Sequence, residues 1–159
     1  MSVKVLFVCL GNICRSPTAE GIFLKLVSDA GLSKYIAVDS AGTAGWHEGR
    51  APDARTIAAA KAQGYDLSTL RARQVLKDDF EEFDYIIAMD SENLHDLERL
   101  KPAHYTGYLG LFLTFGLQKK YRELPDPYHG TDKDFELVVD LVEDAAQGLL
   151  DHIRKNNAL

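Results

Sequence analysis

Cysteine is nearly missing from this chain: there are two in 159 residues, Cys9 and Cys14, five positions apart. So close a pair makes a poor disulfide framework, and no second Cys or His pair follows at ligand spacing to support a zinc site. Their use is therefore read as chemical. Positive charge is also in deficit, with 18 Lys and Arg against 24 Asp and Glu for a net charge of −6. That balance argues against general binding to nucleic acid or to anionic membrane surfaces. No apolar run approaches the ~18 residues needed to span a bilayer. Met1-Ser2-Val3-Lys4 leads straight into an apolar segment without a signal-type stretch, which sets the expectation of a cytoplasmic protein. Internal repeats and low-complexity tracts are lacking too.

What is present is ordinary for one globular domain, expected over 1–159: 46% hydrophobic and 26% charged residues, enough to bury a core without staples. Residues 3–8 alternate poorly between polar and apolar, which predicts a central strand buried on both faces. From Pro17 to Ala30, Ala19, Ile22, Phe23, Leu26 and Val27 keep helical spacing up to Gly31. A second strand is expected over 35–39. It precedes a Gly-rich loop over 40–46, expected to be polar and exposed except for the Trp46 indole, which belongs either to the core or to a binding rim. Further along, the pattern predicts a helix from Pro52 and Asp53 to Ala62, a strand over 84–89 and a helix over 91–100. The last strand is expected over 108–113, its limits blurred by Gly110 and Gly116, then a loop over 121–131 and a helix over 132–154. Strands alternating with helices give an α/β fold: a single-domain, open, parallel four-stranded sheet in flavodoxin-like order, with helices on both faces. Ligands bind such sheets beyond the carboxyl ends of the strands.

The loop after the first strand lies at such an end. It reads Cys9-Leu10-Gly11-Asn12-Ile13-Cys14-Arg15-Ser16, with Pro17 opening a helix. Strand, loop and helix start in this order converge free backbone N–H groups on one point, beside the positive end of the helix dipole, which makes a cradle for an oxyanion. A free cysteine, with a pKa of about 8.5, is only a few per cent thiolate at neutral pH. A helix dipole contributes at most ~2 kcal/mol towards ionisation. Hydrogen bonds from Ser16 and the loop amides, at roughly 1.5–3 kcal/mol per bond to a charged group, must add to it. Gly11 is expected to let the backbone turn, and Asn12 to adopt a left-handed conformation or to tie the loop to its neighbours. Arg15, six residues after Cys9, can grip two phosphate oxygens bidentately, which a lysine cannot do. Attack by Cys9 would give a thiophosphate, and the leaving oxygen then needs a proton. Asp126, stiffened between Pro125 and Pro127, is the candidate acid, since a dianionic phosphate alongside favours the protonated carboxyl. Cys14 reads as an inert helix-entry residue, a zinc partner of Cys9 or a redox partner. The five histidines are scattered in sequence and read as surface residues rather than a catalytic set.

Val8 to Pro17 together with Asp126-Pro127-Tyr128 resembles the low-molecular-weight protein tyrosine phosphatases. So do Asp39-Ser40-Ala41-Gly42-Thr43, Ala72-Arg73-Gln74 and the stretch Ala88 to Leu94. The resemblance implies a cytosolic hydrolase of phosphotyrosine monoesters that needs neither metal nor cofactor. It implies Cys9 as nucleophile, Arg15 as clamp and Asp126 as general acid. It further implies loop support from Asn12 and Ser40, thiolate stabilisation by Ser16 and an aromatic slot of Trp46 and Tyr128. Cys14 matches the second cysteine of the family, which forms a reversible disulfide with the first. Two positions depart. Leu70 stands where many members have a histidine behind the phosphate loop, and His129 where many have a second tyrosine in the slot. Partners are expected to be phosphotyrosine proteins, with the enzyme a monomer or weakly self-associating. Arsenate reduction on the same loop is an alternative, although no cysteine follows Cys14 to relay electrons. A phosphotyrosine-binding module without turnover is another.

Overall fold

The computed structural model describes residues 2–159. Its four strands are β1 (Val3–Cys9), β2 (Ile36–Gly42), β3 (Tyr85–Ala88) and β4 (Tyr108–Leu111), all parallel in the order β2-β1-β3-β4. Its helices are α1 (Arg15–Asp29), α2 (Ala54–Ala62), α3 (Asp79–Glu82), α4 (Ser91–Leu100) and α5 (Asp132–Asn157). The expected open parallel sheet is thus the one that forms.

β1 shows why both faces are covered. Its odd residues Val3, Val5, Phe7 and Cys9 pack with Ile22 and Phe23 of α1 and with Val142, Leu149 and Ile153 of α5. Its even residues Leu6 and Val8 meet Phe80 of α3 and Leu97 of α4 on the other face. Strand side chains alternate with a period of two, so the stretch Val5 to Cys9, apolar at every position, must be sandwiched in this way. At roughly 25 cal/mol per Å² of apolar surface, these two layers are the main stabilising term. None of the helices among the described residues is long and apolar enough to cross a membrane.

Several boundaries differ from those the sequence predicts. Helix α1 starts at Arg15, so Pro17 is its third residue, where an N–H would have no helical partner in any case. β1 extends to Cys9, and β2 continues through Ser40, Ala41 and Gly42 instead of breaking into an exposed loop. These residues pair in register with Phe7, Val8 and Cys9 and are buried. Ser40 tolerates this because its hydroxyl is fully hydrogen-bonded. Of the two places open to the Trp46 indole, the core is excluded, since the residue is 71% exposed. The short α3 carries no readable period. β4 ends at Leu111, where Phe112–Phe115 tighten into a 3-10 turn. Helix α5 runs three residues beyond Arg154 and ends on left-handed Ala158, with φ of 55°.

Candidate active site

The carboxyl end of β1, the loop after β2 and the loop before α5 enclose a cavity of about 220 Å³. Its floor is Cys9, Leu10, Gly11, Ile13, Cys14 and Arg15, and its walls are Trp46, His47, Asp126, Tyr128 and His129. A larger open cleft of about 660 Å³ lies at the amino ends of β3 and β4, beside Phe80 and Tyr105. It lies at the end of a parallel sheet opposite to the one where ligands bind, and neither cysteine lines it.

Behind the floor lies one polar network. Asn12 has a positive φ of 56° and is almost fully buried. Its Oδ1 accepts from the Arg73 N–H at 3.0 Å, which fixes the orientation of the amide. Its Nδ2 then donates to both Ser16 Oγ (2.7 Å) and Ser40 Oγ (2.9 Å). Each serine, having accepted, directs its own proton onward. Ser16 Oγ lies 3.0 Å from Cys9 Sγ, and Ser40 donates to Glu20 Oε1 at 2.6 Å. The Asn12 N–H also donates to Cys9 Sγ, at 3.3 Å. The sulfur therefore faces two donors arranged for an anion. Asn12, Ser16 and Ser40 do not line the cavity; they shape it from behind. Asn12 alone takes the left-handed turn expected of the loop. Gly11 serves a different purpose: a Cβ there would approach the His47 ring to 3.0 Å.

Arg15 is only 3% exposed. Its Nη1 donates to Asp90 Oδ2 (2.7 Å) and to the Leu124 carbonyl (3.0 Å), while Nη2 lies 3.7 Å from Asp126 Oδ2. Burial works against its charge, but the Cys9 sulfur and Asp90 outweigh it and raise the Arg15 pKa. Asp90 is itself fixed as the cap of α4, accepting from the Asn93 N–H at 2.7 Å. Burial also keeps Cys14 a neutral thiol, its pKa pushed up to about 12 despite a hydrogen bond to Thr56. The Asp126 side chain is 46% exposed at the cavity mouth. The Tyr128 and His129 rings meet edge-on there, with centroids 4.9 Å apart.

Sequence reasoning missed Glu20, Asp90, Arg73 and His47. Glu20 had left a signal, since it shares a helical face with Ser16, Phe23 and Val27 and so had to be buried. The network ends on the Glu20 carboxyl. Burial raises its pKa to about 7, partly offset by the Ser40 hydrogen bond and the Arg73 charge and reinforced by the nearby Asp39 charge. The ionised form is the one penalised in the fold. The contribution of Glu20 to stability is therefore complete below about pH 4.5 and is lost as pH rises through about 7. The loss amounts to roughly 3 kcal/mol at ~1.36 kcal/mol per pKa unit. Glu20→Gln removes the ionisation and keeps an acceptor for Ser40. Urea midpoints measured from pH 4 to 8 should show wild type falling relative to Glu20→Gln across that window; parallel curves would exclude an ionising Glu20.

Comparisons with known proteins lead to one family. The family model described as low molecular weight phosphotyrosine protein phosphatase matches residues 4–159. A putative low molecular weight protein-tyrosine-phosphatase of Synechocystis sp. is 44% identical over 154 residues, covering 96% of this chain and 98% of the relative. The low molecular weight protein-tyrosine-phosphatase YfkJ of Bacillus subtilis is 40% identical over 157 residues, covering 99% of both. A crystal structure of a protein tyrosine phosphatase from Entamoeba histolytica matches with a TM-score of 0.94 at 40% identity, over 98% of this chain and 99% of that one. From the match of model, sequence and fold, this chain belongs to the low molecular weight phosphotyrosine protein phosphatase family.

Proposed function

We infer that the chain, acting as one phosphatase domain over 1–159, hydrolyses phosphotyrosine in proteins and related aryl phosphate monoesters through a cysteinyl-phosphate intermediate. One observation carries this reading: the Cys9 sulfur, Arg15 and the Asp126 carboxyl border the same small cavity. The Cys9 thiolate attacks phosphorus in line with the ester oxygen. The S–P bond forms as the P–O bond breaks, and Asp126 gives its proton to the departing phenolate. Loop amides and Arg15 hold the three peripheral oxygens as charge redistributes over them. In the second step water attacks phosphorus and passes a proton to the Asp126 carboxylate. The S–P bond breaks, inorganic phosphate leaves and the Cys9 thiolate returns. No step requires a metal or a cofactor.

Trp46, Tyr128 and His129 give the mouth aromatic and imidazole walls, which suit a phenyl ring passing down to Cys9. A shorter phosphoserine would leave its phosphate above the floor. Cys14 is read as the redox partner: a sulfenic acid on Cys9 condenses with the Cys14 thiol, releasing water and leaving a disulfide. The raised pKa of Cys14 directs the first oxidation to Cys9. Two free thiols on the lining of one cavity suit the reducing cytoplasm. Acid-quenching the enzyme during turnover of an aryl phosphate should leave one phosphoryl group on the Cys9 peptide by mass spectrometry. Turnover with that peptide unmodified at every quench time would overturn the covalent route.

A further inference from the structure

The loop carrying Asp126 is suspended at two points. On one side the Leu124 N–H donates to the Met89 carbonyl at 2.9 Å, and the Leu124 carbonyl accepts from Arg15. On the other, Arg55 of α2 reaches across and donates from Nη2 to the Tyr128 carbonyl at 3.0 Å. Arg55 is itself gripped at both oxygens of Asp53, at 3.0 and 2.9 Å. Its guanidinium also lies 4.5 Å from the centroid of the Phe135 ring and 5.5 Å from that of Tyr128. Asp53 belongs to the phosphate-loop side of the site, because its N–H donates to the Ile13 carbonyl at 2.9 Å.

The bonds therefore run without a break from the phosphate loop to the acid loop: Ile13 to Asp53, Asp53 to Arg55, Arg55 to Tyr128. Tyr128 completes the path, since its N–H donates to Asp126 Oδ1 at 3.2 Å. Held at its carbonyl by Arg55, Tyr128 holds the Asp126 carboxyl through its amide. Arg55 lies outside the cavity lining. Only a planar fork can bind both Asp53 oxygens, reach the Tyr128 carbonyl and stack on an aromatic ring at once.

We propose that Arg55 is a positioning residue for the acid loop, tying Tyr128 to Asp53 so that the Asp126 carboxyl and the Tyr128 wall are fixed against the phosphate loop. The proposal rests on Asp126 being the general acid. A displaced acid penalises most the substrates that need it most, those with poorly departing phenols, whereas a merely structural loss is uniform across leaving groups.

The test measures kcat/KM for aryl phosphates of increasing leaving-group pKa with wild type, Arg55→Ala, Arg55→Lys, Asp126→Asn and the Arg55→Ala/Asp126→Asn double variant. On the poorest leaving groups Asp126→Asn should lose about 100-fold or more, the usual worth of a general acid. Arg55→Ala should lose about tenfold there, as expected for a misplaced catalytic group, and change little with nitrophenyl phosphates. Arg55→Lys, which regains one donor without the fork, should fall between Arg55→Ala and wild type. Once Asp126 is replaced, Arg55→Ala should add no further leaving-group dependence. A loss with Arg55→Ala that is uniform across the series, or that multiplies with that of Asp126→Asn, overturns the proposal. A flat series for Asp126→Asn overturns the assignment of the acid, and this proposal with it.

Discussion

Cys9→Ser is expected to abolish turnover, by at least about 10⁴-fold, while leaving the affinity for inorganic phosphate within a few-fold of wild type. The two halves of this outcome come from different parts of the site. Turnover needs a sulfur that is anionic when substrate arrives. The Ser16 hydroxyl at 3.0 Å and the Asn12 amide at 3.3 Å are placed to stabilise that charge. A serine hydroxyl in the same place stays protonated at neutral pH, and no base stands beside it to take the proton: its neighbours in that network are donors. Binding, by contrast, comes from backbone N–H groups and Arg15, none of which the substitution touches. Turnover is read with an aryl phosphate and affinity by calorimetry with phosphate. A Cys9→Ser enzyme hydrolysing at the wild-type rate would remove the nucleophile from the mechanism, and one that had lost phosphate would show that the sulfur shapes the cradle.

How much of this was legible in the sequence depended on the range of the interactions involved. The apolar run Val5 to Cys9 of β1, the 3.6-residue spacing of α1 and the Cys9-to-Ser16 loop are local signals, and each led to its element and its end of the sheet. Ser40 to Gly42 misled because serine and glycine signal loops, whereas here their burial is made tolerable by Asn12 and Glu20, 28 and 20 residues away. Asp90 and Arg55 were invisible for the same reason. Asp90 reads locally as a helix cap, which it is, and nothing nearby in sequence shows that its second oxygen holds Arg15, 75 residues distant. Arg55 reads as a solvated charge in the first turn of α2, and its reach to Tyr128 spans 73 residues. His47 reads in sequence as one of five scattered surface histidines, yet the fold brings it to the cavity mouth beside His129, which the resemblance to the family assigns to the slot.

The second large effect is expected at Arg15, and it follows from how the guanidinium is divided. Its Nη1 is fully engaged by Asp90 and the Leu124 carbonyl, which pin one edge of the plane. Among the described residues, Nε and Nη2 have no hydrogen-bond partner, Nη2 having only the longer approach to Asp126 at 3.7 Å. That free edge presents two parallel N–H donors, the fork that fits two oxygens of a phosphoryl group. Arg15→Lys keeps the charge but supplies one nitrogen for both tasks. A lysine at this buried position either stays with Asp90 and leaves the phosphate, or reaches the phosphate and leaves Asp90 unpaired. The oxygens spread and carry redistributed charge most in the transition state, so the deficit should fall more on kcat than on KM. The expected loss in kcat/KM is about 10³-fold, in line with arginines that clamp transferring phosphoryl groups. Steady-state kinetics of Arg15→Lys on an aryl phosphate decide it, with phosphate affinity measured separately. A loss under tenfold, or one confined to KM, would mean that Arg15 supplies only a positive charge, and that the two-pronged grip on the transition state comes from the loop amides alone.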